Sequence, residues 1–241
     1  MALKKKKIVS LVLLAAIIAG GAYLYCNGNA LIVRATERIA TNALGVKVDI
    51  GSITLSWKKK LVTVNDLEVG NPPGYKSAHV MTADKILIGL NTASKKLIDF
   101  KNIDVKGSEI YFEMTPKGTN LTDLKKLANS SKQKEKAGNE TIRVIVQQME
   151  IDASVIHPRI SFLKDQDIPP IKMPPVRISG IGQGKTGSNA GEVIVQVLTR
   201  YLTSAQSAIT KSGVLNQIPN INTDAAKKTI DDTKNKLKSL F

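Results

Sequence analysis

The chain has 241 residues, enough for one large or two small domains, and its hydrophobic fraction of 42% is sufficient for a sizeable core. Aromatic residues make up 4%, with a single tryptophan, so the apolar content rests on Ile, Val, Leu and Ala and favours β-sheet with some helix over an aromatic-rich cleft. The formal net charge of +15 attracts polyanions. Because the lysines are scattered and lack the interleaved aromatics that stack bases, we expect no nucleic-acid partner and favour a domain close to a membrane surface.

The N-terminus predicts the compartment. A basic tail at residues 1–7 precedes an uncharged apolar run at residues 8–24, which lies at the short end of what crosses a hydrocarbon core of roughly 30 Å. The positive-inside rule keeps the tail in the cytoplasm and sends the body of the protein across a bacterial inner membrane into the periplasm. Small residues at positions 20–22 also suit a signal-peptide cleavage site, so a single-pass anchor and a removed leader both stay open.

The one cysteine, Cys26, excludes an intrachain disulfide. The residues before it, at 23–25, are Tyr-Leu-Tyr, which are too bulky for the small-residue signal that lipidation requires. We interpret Cys26 as a free thiol near the membrane surface.

After the apolar run, residues 30–44 have helical spacing, and Gly45 stands where a C-terminal glycine cap belongs. From residue 46 the period changes to two, with a slip at Gly51-Ser52 that resets the alternation. Further alternating stretches follow with short turns between them, which predicts an antiparallel meander. These stretches are residues 61–69, 83–90, 97–107 and 108–114.

The second half of the chain mixes strands and helices. A short helix is predicted at residues 120–127, followed by a polar loop at 129–140 and a return to strand character at 141–163. Four prolines in residues 168–182 indicate an edge or crossing segment, because proline cannot donate to a strand ladder. Asn189 and Glu192 suit a capping box before an amphipathic helix, and residues 223–241 form a weaker one. We therefore divide the chain into a β-rich domain at 30–181 and a helical region at 189–241.

Motifs that could support catalysis or metal binding fail on spacing. The stretch "GIGQGKTG" has its first glycine one residue out of register for a phosphate-binding loop. His79 and His157 are far apart in sequence, and Asp165 and Asp167 lie in a polar turn. We expect no enzymatic activity, no catalytic residue, no metal and no cofactor.

The three lysines at positions 58, 59 and 60 stand between Trp57 and Leu61 at a predicted hairpin turn. The plain interpretation is a solubilising turn. The functional alternative is contact of Lys58, Lys59 and Lys60 with anionic lipid headgroups, where each lysine contributes about 1 kcal/mol.

Several stretches occur in an order that resembles the N-terminal module of the AsmA family. They are "ATNALGVKVDIGSITLSW", "LVTVNDLEVGNPPGY", "MTADKILIGLN", "IDFKNIDVKGSEIYFE" and "GTNLTDLKKLAN". The resemblance covers about residues 8–128. Its most specific part is the run Asn71-Pro72-Pro73-Gly74-Tyr75.

The resemblance implies an inner-membrane-anchored periplasmic protein whose apolar β-groove shelters phospholipid acyl chains during cell-envelope maintenance. The implied fold is α+β: an N-terminal transmembrane helix, then a curved, mostly antiparallel, groove-like sheet with C-terminal helices. Candidate groove residues are Ile53, Leu55, Ile86, Ile88, Leu90, Ile110 and Phe112. Because roughly eight strands advance only about 40 Å, this chain alone is too short to bridge the periplasm.

Two questions stay open from the sequence. The groove is either accessible to lipid or filled by the helix that follows residue 189. The chain either binds or helps to transfer membrane phospholipid, or it is a non-catalytic scaffold subunit of a larger membrane complex or a homo-oligomer.

Overall fold

The computed structural model describes residues 29–94, 97–135, 143–161, 168–183, 188 and 190–214. Three helices and nine strands make up these residues. The helices are α1 (Asn29–Leu44), α2 (Asn120–Glu135) and α3 (Ala190–Lys211). The strands are β1 (Val48–Ser56), β2 (Leu61–Gly70), β3 (His79–Ala93), β4 (Leu97–Thr115), β5 (Gly118–Thr119), β6 (Arg143–Ile151), β7 (Ser154–Ile160), β8 (Ile171–Met173) and β9 (Val176–Ile181).

Helix α1 confirms the predicted helix and its glycine cap. Gly45 has a φ of 73° and its N–H donates to the Thr41 carbonyl at 2.9 Å, the left-handed C-terminal arrangement that favours glycine. Helix α1 then runs back alongside β1. The Val48 N–H donates to Thr41 Oγ1 at 3.0 Å and the Ile50 N–H donates to Glu37 Oε1 at 2.9 Å.

Strands β1 to β4 form the predicted antiparallel meander, with Val48 opposite Val69 and Met81 opposite Ile110. Strand β4 is a single continuous strand across a region where the sequence indicated two. The main path of the sheet runs β1-β2-β3-β4-β6-β9.

Beyond β4 the sheet is mixed, which corrects the expectation of a mostly antiparallel sheet. Strand β4 pairs in parallel with β6 along its first half and with β7 along its second half. A parallel neighbour requires a crossover, and the chain supplies one through β5 and α2. Strands β9 and β8 then add antiparallel edges to β6 and β7, where the proline-rich segment was expected. The α+β class is confirmed.

One face of the sheet stays apolar along its length because the alternation shifts at Gly51. Ile50 and Ile53 belong to the same core cluster although a regular pleat would turn them to opposite faces. Gly51 lies against Asp66, whose φ is 55°, and a Cβ at Gly51 would stand 2.9 Å from the Asp66 Cβ. The predicted slip at Gly51-Ser52 is therefore confirmed.

The three helices cover this apolar face. Helix α1 packs against β1, α3 packs against β6, β8 and β9, and α2 packs against both helices and the end of β4. The main core lies beneath α2 and α3. Its largest fully buried side chains include Ile98, Ile110, Phe112, Met114, Leu121, Leu124, Ile156, Tyr201 and Leu202.

Helix α2 extends to Glu135, so the polar loop predicted from residue 129 is wrong for residues 129–135. No helix within the described ranges is long and apolar enough to cross a membrane. The predicted anchor at 8–24, Cys26, Asp165, Asp167 and the helix predicted at 223–241 lie outside the described residues.

Candidate functional site

The Asn71–Ser77 turn, which carries the most specific part of the AsmA resemblance, is tied to β4 and α2 by hydrogen bonds. The carboxylate of Glu113, 0% exposed, accepts the N–H of Lys76 at 2.9 Å and the N–H of Ser77 at 3.0 Å. Tyr75 donates its hydroxyl to Asp123 Oδ2 at 2.8 Å. Burial, followed by this bond to Asp123, raises the pKa of Tyr75. These hydrogen bonds fix the position of the turn against β4 and α2, so we assign it a structural role.

The candidate groove residues divide into two groups. Ile53, Ile110 and Phe112 are fully buried in the core, and the last two lie in the main core with side chains of α2 and α3. Leu55, Ile86, Ile88 and Leu90 are only half-buried. In this structure α2 and α3 together therefore cover the part of the face where Ile110 and Phe112 would have contacted lipid.

The half-buried residues form one strip, which we call the open strip: Leu55, Ile86, Ile88, Leu90 and Ile103. It reaches from β1 to β4 across the buried Val62, because Leu55 is opposite Val62, Val62 is opposite Ile88, and Ile88 is opposite Ile103. Helix α1 packs on β1 and on α3, α3 packs on β6, β8 and β9, and α2 packs on the end of β4. Strands β2 and β3 therefore receive less cover from the helices than their neighbours do. The half-buried Val33 of α1 and Val197 of α3 pack against the two core clusters from either side.

The predicted lysine turn is a four-residue hairpin turn at one end of the open strip. Lys58, Lys59 and Lys60 are exposed, and Trp57 is the one exposed large hydrophobic residue within the described ranges, at 42%. The turn is closed by the Lys60 N–H, which donates to the Trp57 carbonyl at 3.1 Å. Leu90 of the open strip donates its N–H to the Lys60 carbonyl at 2.8 Å.

The two histidines, judged unrelated from their sequence positions, meet at Tyr111. The ring of Tyr111 stacks on His157 at 5.1 Å between centroids and lies 6.3 Å from His79. His79 is 3.2 Å from Glu68 and His157 is 3.2 Å from Glu109. The register of β4 with β7 places Tyr111 opposite His157. No local signal in the sequence could have shown that the two histidines share Tyr111 as a neighbour. Within the described ranges no group of three His, Cys, Asp or Glu side chains is arranged to hold a metal ion.

A buried hydroxyl cluster joins α3 to the sheet. The Tyr201 hydroxyl lies 2.9 Å from Ser108 Oγ and 3.0 Å from Ser154 Oγ, and the two serines also contact each other. Burial raises the pKa of Tyr201, so the phenol stays neutral at physiological pH. The cluster satisfies polar groups beneath α3 and fixes the register of that helix on the sheet.

Comparison with known proteins adds no assignment. No family model, no curated protein and no solved structure matches this chain. The resemblance to the AsmA family therefore rests on the sequence stretches quoted above.

Proposed function

We propose that this chain is an AsmA-like protein, anchored in the bacterial inner membrane and facing the periplasm, which binds phospholipid and helps to transfer it during envelope maintenance. The observation that carries this proposal is the open strip. Five large aliphatic side chains of the sheet are only partly buried, as are Leu67 and Met81 of the same clusters, although helices pack on this face.

The chemistry of the open strip suits an acyl chain. Its side chains are aliphatic and carry no donor or acceptor, so they select by shape and apolar area alone. Each acyl methylene buried there contributes about 0.8 kcal/mol. Since the three helices cover the remainder of the face, we expect the strip to take one or two acyl chains, in contrast to a long continuous groove.

Photocrosslinking tests the proposal with a matched control on one strand. Ile88 belongs to the open strip, and Leu87, also half-buried, points to the opposite face of β3. We expect p-benzoylphenylalanine at position 88 to yield adducts of phospholipid mass in membranes, and the same group at position 87 to yield none. Adducts of equal yield at both positions, or of protein alone at position 88, would contradict lipid binding, and protein adducts would favour the scaffold alternative.

A second measurement uses substitutions that leave the fold intact. Ile88→Asn adds a polar group to the open strip, and Leu87→Asn adds the same group to the opposite face. We expect gentle purification of the full chain to recover less phospholipid per protein with Ile88→Asn than with Leu87→Asn. Circular dichroism of both variants checks that the sheet is retained. Equal lipid recovery from folded variants would contradict the proposal.

A further inference from the structure

The turn between β1 and β2 has the composition of a membrane-surface contact. Trp57 is exposed, and the exposed residues Lys58, Lys59 and Lys60 follow it directly. Tryptophan is enriched at the level of lipid headgroups, and each lysine near an anionic surface raises partitioning roughly fivefold. Two backbone hydrogen bonds of Lys60, one to Trp57 and one to Leu90, fix the backbone of the turn.

The direction of α1 places this turn at the end of the domain where the chain enters. Glu37 contacts the backbone of Ile50, and Ile32, more than one helical turn earlier, packs in one cluster with Ile53. The N-terminal end of α1 therefore points towards the turn. From the rises of a helix and a strand, the turn extends about 10 Å beyond Asn29, the first residue of α1.

The sequence before α1 has the length needed to bring this end to a bilayer. The apolar run that we expect to cross the membrane ends at Leu24, and the stretch from there to Asn29 spans at most about 17 Å when fully extended. With that run in the membrane, as the proposed function has it, a connection of this length keeps this end of the domain near the bilayer. The lysines used below as controls, Lys76, Lys117 and Lys172, lie towards the opposite end of the sheet.

We infer that residues 57–60 form a second membrane contact, on an anionic phospholipid surface, which directs one end of the open strip at the bilayer. Leu90 is hydrogen-bonded to the turn and Leu55 precedes it by two residues, so a lipid leaving the membrane beside the turn meets the strip first at these side chains. The inference rests on the proposed function for the identity of that lipid. The membrane contact itself is measured separately.

Trp57 is the single tryptophan of the chain, so its fluorescence reports this turn alone. The experiment places the full chain in nanodiscs of phosphatidylcholine and phosphatidylglycerol, with or without bromine on the phosphatidylcholine acyl chains. We expect brominated lipid to quench the fluorescence of Trp57. We also expect the Trp57 emission to lie at a shorter wavelength than that of a tryptophan fully exposed to water. Identical emission with brominated and ordinary lipid would overturn the inference.

Three variants identify the source of the quenching. Lys58→Gln/Lys59→Gln/Lys60→Gln should lose much of it, and the matched set Lys76→Gln/Lys117→Gln/Lys172→Gln, all exposed, should keep it. Ile88→Asn should also keep the quenching, because we expect the quencher to be the lipid of the bilayer and not a lipid bound in the open strip. Equal loss in both lysine sets, or loss in Ile88→Asn, would overturn the contact. Quenching of Trp57 without lipid adducts at position 88 would support the membrane contact and contradict the proposed function. Lipid adducts at position 88 without quenching of Trp57 would support the proposed function and contradict the membrane contact.

Discussion

The side-chain amide of Asn120 donates to Asn71 Oδ1 at 3.0 Å, and this pair joins two stretches of the AsmA resemblance that are far apart in sequence. The same amide also donates to the Tyr111 carbonyl at 2.7 Å, and Asn120 Oδ1 accepts the Glu113 N–H at 2.9 Å. Asn120 is fully buried at the start of α2. The network therefore fixes the Asn71 turn on the start of α2.

A double-mutant cycle measures this pair. We expect Asn71→Ala and Asn120→Ala to be coupled by about 1 kcal/mol in the free energy of unfolding, because each removes a partner of the same hydrogen bond. Urea denaturation of the two single variants and the double variant gives the coupling. Asn71→Ala combined with Asn65→Ala is the control, since Asn65 bonds to Ser52 instead, and should be additive within about 0.5 kcal/mol. Coupling of the same size in both cycles would contradict the assignment.

Glu113 should contribute far more to stability than its neighbour on β4. Glu113→Ala leaves the N–H groups of Lys76 and Ser77 without their acceptor, and we expect a loss of about 3 kcal/mol. Glu109→Ala removes a half-exposed carboxylate from the same strand and should cost less than about 1 kcal/mol. Equal losses in urea denaturation would mean that the Asn71–Ser77 turn does not depend on Glu113.

Alkaline pH should destabilise the fold through Tyr75 and Tyr201. Burial is the first cause that raises the pKa of each above its unfolded value of about 10. Their contribution is complete below that pH and is lost as the pH rises through the folded-state pKa values, since the unfolded chain releases the phenolic protons first. We expect unfolding free energy to fall with pH above about 10, and to fall less steeply in Tyr75→Phe/Tyr201→Phe. The same slope in both proteins would contradict this.

The parts of the fold that depend on local chemistry were predictable. Gly45 ends α1 because its position follows the last apolar residue of a helical pattern, and the slip at Gly51 was visible as a shift in the alternation. Helix α2 was predicted too short because every residue from 129 to 135, after the buried Ala128, is polar and carries no apolar signal.

The parts that depend on distant contacts were not predictable. The parallel pairing of β4 with β6 and β7 follows from the crossover through α2, and the approach of His157 to Tyr111 follows from that pairing. His79 reaches Tyr111 through the antiparallel pairing of β3 with β4. The candidate site shows the same limit. Ile88 and Ile110 have the same pattern in sequence, and only the packing of α2 and α3 on the sheet leaves one half-buried and buries the other.

Two glycines with the same backbone conformation should differ in their tolerance of alanine. Gly182 and Gly213 both have a φ of 72°, but a Cβ at Gly182 would lie 2.4 Å from the Val144 carbonyl oxygen, and one at Gly213 would meet no described atom within 4 Å. We expect Gly213→Ala to cost about 1 kcal/mol from the left-handed conformation alone. Gly182→Ala should cost about 3 kcal/mol or more, because the backbone it meets is itself paired with Ser188. Similar losses in thermal unfolding would contradict the close approach.

Gln206 should lower the stability of the fold relative to an apolar residue of similar size at the same position. It is 1% exposed on α3, and its side-chain amide makes no hydrogen bond with the described residues. A buried amide without a partner carries a desolvation cost, so we expect Gln206→Leu to raise the free energy of unfolding by about 1–2 kcal/mol. Gln147→Leu is the control of opposite sign, since Gln147 donates to Asp99 Oδ2 at 2.9 Å and loses that bond. A lower melting temperature for Gln206→Leu would contradict this expectation.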